Sequence, residues 1–115
     1  MHHKAPWLAV ISLLALSLPE RADALRVGEF MAICTQSGMA CEDLPVLNAY
    51  VGGGLDLIAM LHEETDYIEP VYCKDPKALF DVRAIIRFIE EHHQGNEDKN
   101  AMLLMIKFLE VNGGC

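Results

Sequence analysis

The sequence is short of positive charge and of aromatic residues. Nine Lys and Arg face seventeen Asp and Glu across 115 residues, for a formal charge of −8 and a pI near 4.9. Nucleic-acid binders meet phosphates with clustered Lys and Arg, so this deficit excludes that class. Aromatics are 7% of the chain, too few for a platform that stacks bases or sugars. No run reaches the ~18 consecutive apolar residues of a spanning helix. With 52% apolar and 23% charged residues, the chain is too apolar to be a disordered tail. Its length allows one domain.

Catalytic signatures are missing as well. His62-Glu63-Glu64 does not continue to H-E-x-x-H, because position 66 is Asp. Gly52-Gly53-Gly54 lacks the G-x-G-x-x-G spacing, because position 57 is Leu, and no Lys-Ser/Thr follows as in a phosphate loop. No Ser occupies a G-x-S-x-G elbow. The cysteines contain no C-x2-C pair of the kind zinc sites use. His92 and His93 are neighbours, and on a helix they point about 100° apart, so they read as two solvated imidazoles at a helix end. The expectation is a protein that is not an enzyme and holds no cofactor or metal.

What is present begins with a leader. Met1 to Lys4 is weakly basic, Trp7 to Leu18 is apolar except for Ser12 and Ser17, and Pro19 breaks the run. Ala22-Asp23-Ala24 then supplies the small-x-small pattern that signal peptidase reads. Residues 1–24 are therefore expected to be a signal peptide, the alternative being a buried N-terminal helix. The mature chain would be Leu25 to Cys115, still at −8 with seven cations and fifteen carboxylates. A domain of this size buries only about 60–65% of its unfolded surface, so covalent staples would help.

Cys34, Cys41, Cys73 and Cys115 all lie in that mature part. An exported domain of this size with an even number of cysteines is expected to be disulfide-bonded. Three pairings are open.

The hydropathy pattern is helical throughout, and an all-α, four-helix domain is expected. Val27, Phe30, Met31 and Cys34 form one face of a helix over 26–35. After a turn over 36–40, a second helix starts beyond Cys41, with Glu42, Asp43 and Pro45 suited to its first turn. Leu47, Tyr50, Val51, Gly54, Ile58 and Leu61 form its buried stripe. Each mid-helix Gly costs about 1 kcal/mol relative to Ala, so Gly52 to Gly54 calls for a bend or the close approach of another helix. Asp56, in the same segment, is either exposed or a buried carboxylate that needs a partner. Residues 62–71 read as an exposed acidic loop. A third helix spans 75–93, with Asp75 as cap and Pro76 in its first turn. A fourth spans 96–110, with Ala101, Leu104, Met105, Phe108 and Leu109 inward. The short link between these two predicts an antiparallel pair. That arrangement favours Cys73–Cys115 and leaves Cys34–Cys41 to clasp the first turn.

Taken in order, these pieces resemble a known family. An early helix ends in Cys, as in Phe30-Met31-Ala32-Ile33-Cys34. A helix follows with Tyr-x-x-Gly-x-x-Asp, here Tyr50, Gly53 and Asp56. Cys73 precedes a Pro-initiated helix at Pro76, and a last helix with Ala101, Leu104 and Leu109 leads to a terminal Cys115. The set resembles the small exported immunity proteins of the Rap/Tai type, which protect bacteria from type VI secretion peptidoglycan-amidase effectors. The resemblance implies a non-enzymatic, all-α periplasmic protein, often a homodimer, that blocks the active-site cleft of a cognate amidase. Glu63, Glu64, Asp66, Tyr67 and Glu69 offer an aromatic anchor among acidic groups, which suits a basic cleft; the plainer reading is a solvated loop.

Two other classes compete. A periplasmic acid-stress chaperone would also be small, helical and exported, and its fifteen carboxylates would neutralise at low pH and release a dimer. A small secreted hydrolase would need a convergent nucleophile and base, which the sequence does not offer.

Overall fold

The computed structural model describes residues 24–115. The expected signal peptide, apart from Ala24, lies outside the described residues. The described chain is helical and without strands, apart from one isolated bridge between Arg26 and Asn100. Its elements are α1 (Val27–Ser37), a 3-10 turn (Cys41–Asp43), α2 (Pro45–Glu64), α3 (Pro76–Leu79), α4 (Val82–Glu91) and α5 (Ala101–Asn112). None of these helices is long and apolar enough to cross a membrane.

The core follows from the apolar stripes. Val27 and Phe30 of α1, Leu47 and Val51 of α2, Ile85, Ile86 and Ile89 of α4, and Leu109 of α5 are fully enclosed. α2 packs on both α4 and α5, α4 packs on α5, and the 3-10 turn packs on α4. The start of α1 is tied to the turn between α4 and α5. Val27 N–H donates to the Lys99 carbonyl (2.8 Å), and Gly28 N–H donates to that of Glu97 (3.0 Å). Ala101 N–H donates back to the Leu25 carbonyl at 2.9 Å. These bonds satisfy orphan donors that the first turn of a helix always leaves.

Both disulfides form as the antiparallel expectation favoured, Cys34–Cys41 and Cys73–Cys115. In the loop-entropy account the second, closing 42 residues, contributes at most about 4 kcal/mol, and the first at most about 2.5 kcal/mol. The end of α5 returns to the residues before α3. Cys73 N–H and Lys74 N–H both donate to the Gly113 carbonyl at 2.9 Å.

Several boundaries differ from the sequence expectations. The segment over 75–93 is two helices, not one. Asp75 caps α3 by accepting from Lys77 N–H at 3.0 Å, with Pro76 as the first helical residue. Asp81, inside the single helix expected over 75–93, instead caps α4 by accepting from Ala84 N–H at 3.0 Å. A short carboxylate that bonds a backbone donor three residues on competes with helix continuation. Leu79, the last residue of α3, is buried in the core. α5 begins at Ala101 rather than 96, because the Asn100 side chain caps it through Met102 N–H at 2.9 Å. Residues 62–64, expected in a loop, complete the last turn of α2.

The glycine run does not break α2, which is continuous over Pro45–Glu64. Only Gly54 meets another helix closely: a Cβ there would lie 2.5 Å from Sδ and Cε of Met102. Gly52 and Gly53 face open space. Gly113 is the stricter position, because a Cβ would strike the Leu109 carbonyl and lie 2.8 Å from the Tyr72 backbone. Two substitutions separate these cases. Gly52→Ala is expected to raise stability by about 1 kcal/mol through helix propensity. Gly113→Ala is expected to lower it by about 1–3 kcal/mol through overpacking. Urea unfolding of the oxidised protein measures both, and an unchanged Gly113→Ala variant would contradict the packing described.

Candidate functional site

The polar segment singled out by sequence begins on the final turn of α2, where Glu63 and Glu64 are exposed. Thr65 ends the helix in extended backbone (φ −139°, ψ 166°). Its hydroxyl accepts from Tyr67 N–H at 3.2 Å, which turns the chain. Asp66 and Glu69 are exposed, and Tyr67 is 82% exposed, the most of any large apolar side chain described. Glu63, Glu64, Asp66, Tyr67 and Glu69 are thus brought into one surface region at the end of α2. A cleft of about 370 Å³ lies under the loop, with His62, Asp66, Tyr67, Ile68 and Glu69 among its walls. Among the described residues, none of the four carboxylates is ion-paired; the ion pairs are Arg83–Asp43 at 2.7 Å and His93–Glu97 at 4.0 Å.

Below the exposed loop lies an apolar seat that the sequence reading did not identify. Ile68 and Val71 pack against the core, and Tyr72 is 3% exposed. The Tyr72 ring stacks on His62 (centroids 4.0 Å apart, planes 16° apart) and meets Phe80 edge-on at 5.5 Å. Tyr72 then leads into Cys73 and Lys74, so burial, disulfide and the Gly113 hydrogen bonds anchor three successive residues. The signal was the apolar trio Ile68, Val71 and Tyr72 recurring inside an acidic stretch. Among the described residues, the Tyr72 hydroxyl and His62 Nε2 meet no partner at ordinary hydrogen-bond geometry, although the Glu63 carboxylate lies near enough to act on the phenol. Burial pushes the Tyr72 phenol above its ordinary value of 10.0, and the Glu63 carboxylate adds to the shift.

The four motif residues of α2 and α3 do not join this surface as a cluster. Tyr50 packs partly against the core, and burial raises its phenol despite an opposing effect of the Met102 backbone. Gly53 is exposed, and Asp56 is exposed, so the buried-carboxylate alternative for Asp56 is set aside. Pro76 starts α3. Among the described residues, no group of three or more His, Cys, Asp or Glu is placed to hold a metal ion. His92 caps the end of α4 rather than extending it, with Nδ1–H donating to the Phe88 carbonyl at 2.8 Å and its ring stacked on Phe88.

Comparison of the chain with family models, curated proteins and solved structures returns no match.

The seat of Tyr72 makes a prediction. The folded protein holds the phenolic proton more tightly than the unfolded chain does. That contribution to stability is therefore whole below pH ~10 and is lost as pH rises through and beyond this value. Tyr72→Phe deletes a buried hydroxyl that has the Glu63 carboxylate as neighbour but no well-formed hydrogen bond, so stability at pH 7 is expected to be unchanged or to rise by about 1 kcal/mol. The alkaline loss should also shrink. Unfolding midpoints from pH 7 to 11 measure both, and a variant clearly less stable at pH 7 would show that the hydroxyl has a partner.

Proposed function

We propose that this chain is an exported, periplasmic immunity protein that binds a cognate peptidoglycan amidase and blocks its active-site cleft. The carrying observation is the surface at the end of α2, with Tyr67 82% exposed among Glu63, Glu64, Asp66 and Glu69. An exposed aromatic ring with exposed acidic residues on either side of it in the chain suits a basic cleft. The ring supplies contact area at the centre, and the charges steer the encounter. The two disulfides fit an oxidising compartment outside the cytosol. The order of the motifs around Tyr50, Gly53, Asp56 and Pro76 adds the type VI amidase to this reading through its resemblance to the Rap/Tai proteins.

A homodimer belongs to the same reading. Val46, Tyr50, Gly53, Leu57 and Met60 recur along α2 at intervals of four and three, the spacing of a helix–helix seam. Val46 is 59% exposed, Leu57 56% and Met60 41%. Two copies packed across Gly53 would bury this stripe. The stripe also keeps the second reading in play. An acid-stress chaperone would expose such a face to clients when its carboxylates neutralise. Suppression of client aggregation below pH 4 but not at pH 7 would favour that reading.

The test is inhibition of cell-wall hydrolysis. The oxidised protein is mixed with each exported amidase of the same genome, and hydrolysis is followed with and without it. One amidase is expected to be inhibited stoichiometrically. Tyr67→Ala should weaken that inhibition at least tenfold with an unchanged unfolding midpoint, in the range of interface hot spots. Asp66→Lys with Glu69→Lys should slow association and reduce its salt dependence. Failure to inhibit any of them, or full inhibition by Tyr67→Ala, would overturn the proposal.

A further inference from the structure

A second concave surface lies away from the acidic loop, where α4 meets α5. It is a groove of about 450 Å³, within the size range of small-ligand clefts. Its apolar lining comes from Phe88 of α4 and from Leu103, Leu104 and Val111 of α5. Leu104 is buried, but Leu103 is 48% and Val111 68% exposed, so apolar surface there remains open to water.

The charges at this groove run against those of the whole protein. Lys99 and Lys107 line it, two of only seven cations in residues 25–115, with Glu110 as its one carboxylate. On α5, Leu103, Lys107 and Val111 follow at intervals of four and share one side of the helix, while Lys99 stands just before its cap Asn100. Among the described residues, neither lysine is ion-paired. Lys99 is also held at its backbone, where its carbonyl accepts from Val27 N–H. The other polar groups are committed internally: the Asn96 amide donates to the His92 carbonyl at 2.7 Å, and His92 Nδ1–H donates to Phe88. A groove that offers hydrocarbon and two free ammonium groups, in a protein otherwise strongly negative, selects for a ligand with complementary parts.

We infer that the α4–α5 groove binds a single-chain anionic amphiphile, its acyl chain against Phe88, Leu103, Leu104 and Val111 and its anionic head between Lys99 and Lys107. A free fatty acid and a lysophospholipid share this chemistry.

The probe is dodecanoate, titrated below its micelle concentration into the full oxidised protein with isotope-labelled methyl groups and amides. Saturable shifts are expected at Leu103, Leu104 and Val111. Lysophosphatidylglycerol is titrated in parallel, and the order of the two affinities tells a carboxylate site from a lipid-headgroup site; either order supports the inference. Dodecyl maltoside and dodecyltrimethylammonium should bind at least tenfold more weakly than the anions. Lys99→Gln with Lys107→Gln should weaken dodecanoate at least tenfold, and both side chains are exposed, so the fold should persist with an unchanged unfolding midpoint. The inference is overturned if binding is not saturable or if the neutral or cationic amphiphile binds as well. It is also overturned if the double variant keeps its affinity or if the shifts fall on Val46, Leu57 and Met60 instead.

Discussion

The structure depends on the closure of its C-terminal end against the residues before α3. Gly113 is the only residue type that fits there, because a Cβ would strike the Leu109 carbonyl and the Tyr72 backbone. With Gly113 in place, its carbonyl takes two hydrogen bonds, from Cys73 and Lys74, and Cys115 reaches Cys73. Tyr72 is thereby pressed onto His62 at the end of α2. The long segment between α2 and α3 is fixed at both ends: at one by the helix, at the other by the disulfide. A stretch of this length without secondary structure of its own would otherwise carry a large ordering cost.

That closure links fold to surface. Ile68, Val71 and Tyr72 face the core, so Asp66, Tyr67 and Glu69 are left outside. An exposed aromatic ring on a pre-ordered segment loses less freedom on binding than one on a free loop. The same physics separates this acidic surface from the groove between α4 and α5, where the local charge is positive. The two surfaces differ in sign and in lining, and the ligands proposed for them differ accordingly.

Much of the fold was legible in local pattern. The stripes of Val27–Phe30–Cys34 and Ile85–Ile86–Ile89 mark helices because burial on one face repeats every 3.6 residues. Asp75 and Pro76 announce a helix start. Four cysteines leave three pairings open in the sequence, and the two disulfides that form are those an antiparallel helix pair favours. Asp81 was not legible, because an Asp on an amphipathic helix reads as a solvated face until its side chain is seen to bond Ala84. Nor was the seat of Tyr72, which depends on His62 and Phe80 from two other elements. Gly52 to Gly54 was legible only in part: the close approach it calls for exists at Gly54 alone. In the candidate site, the acidic residues and Tyr67 were visible as composition. The buried residues that hold them in place were not, since they lie within a stretch that reads as polar.

The most direct measurement is amide hydrogen exchange at Cys73 and Lys74 in the oxidised protein and in a Cys73→Ser, Cys115→Ser variant. Both amides donate to Gly113, so the account predicts strong protection in the oxidised protein. Protection should fall at these amides and across residues 66–72 in the variant, while the centres of α2 and α5 stay protected. Free exchange at Cys73 and Lys74 in the oxidised protein would contradict the closure, and with it the pre-ordered surface that carries the proposed function.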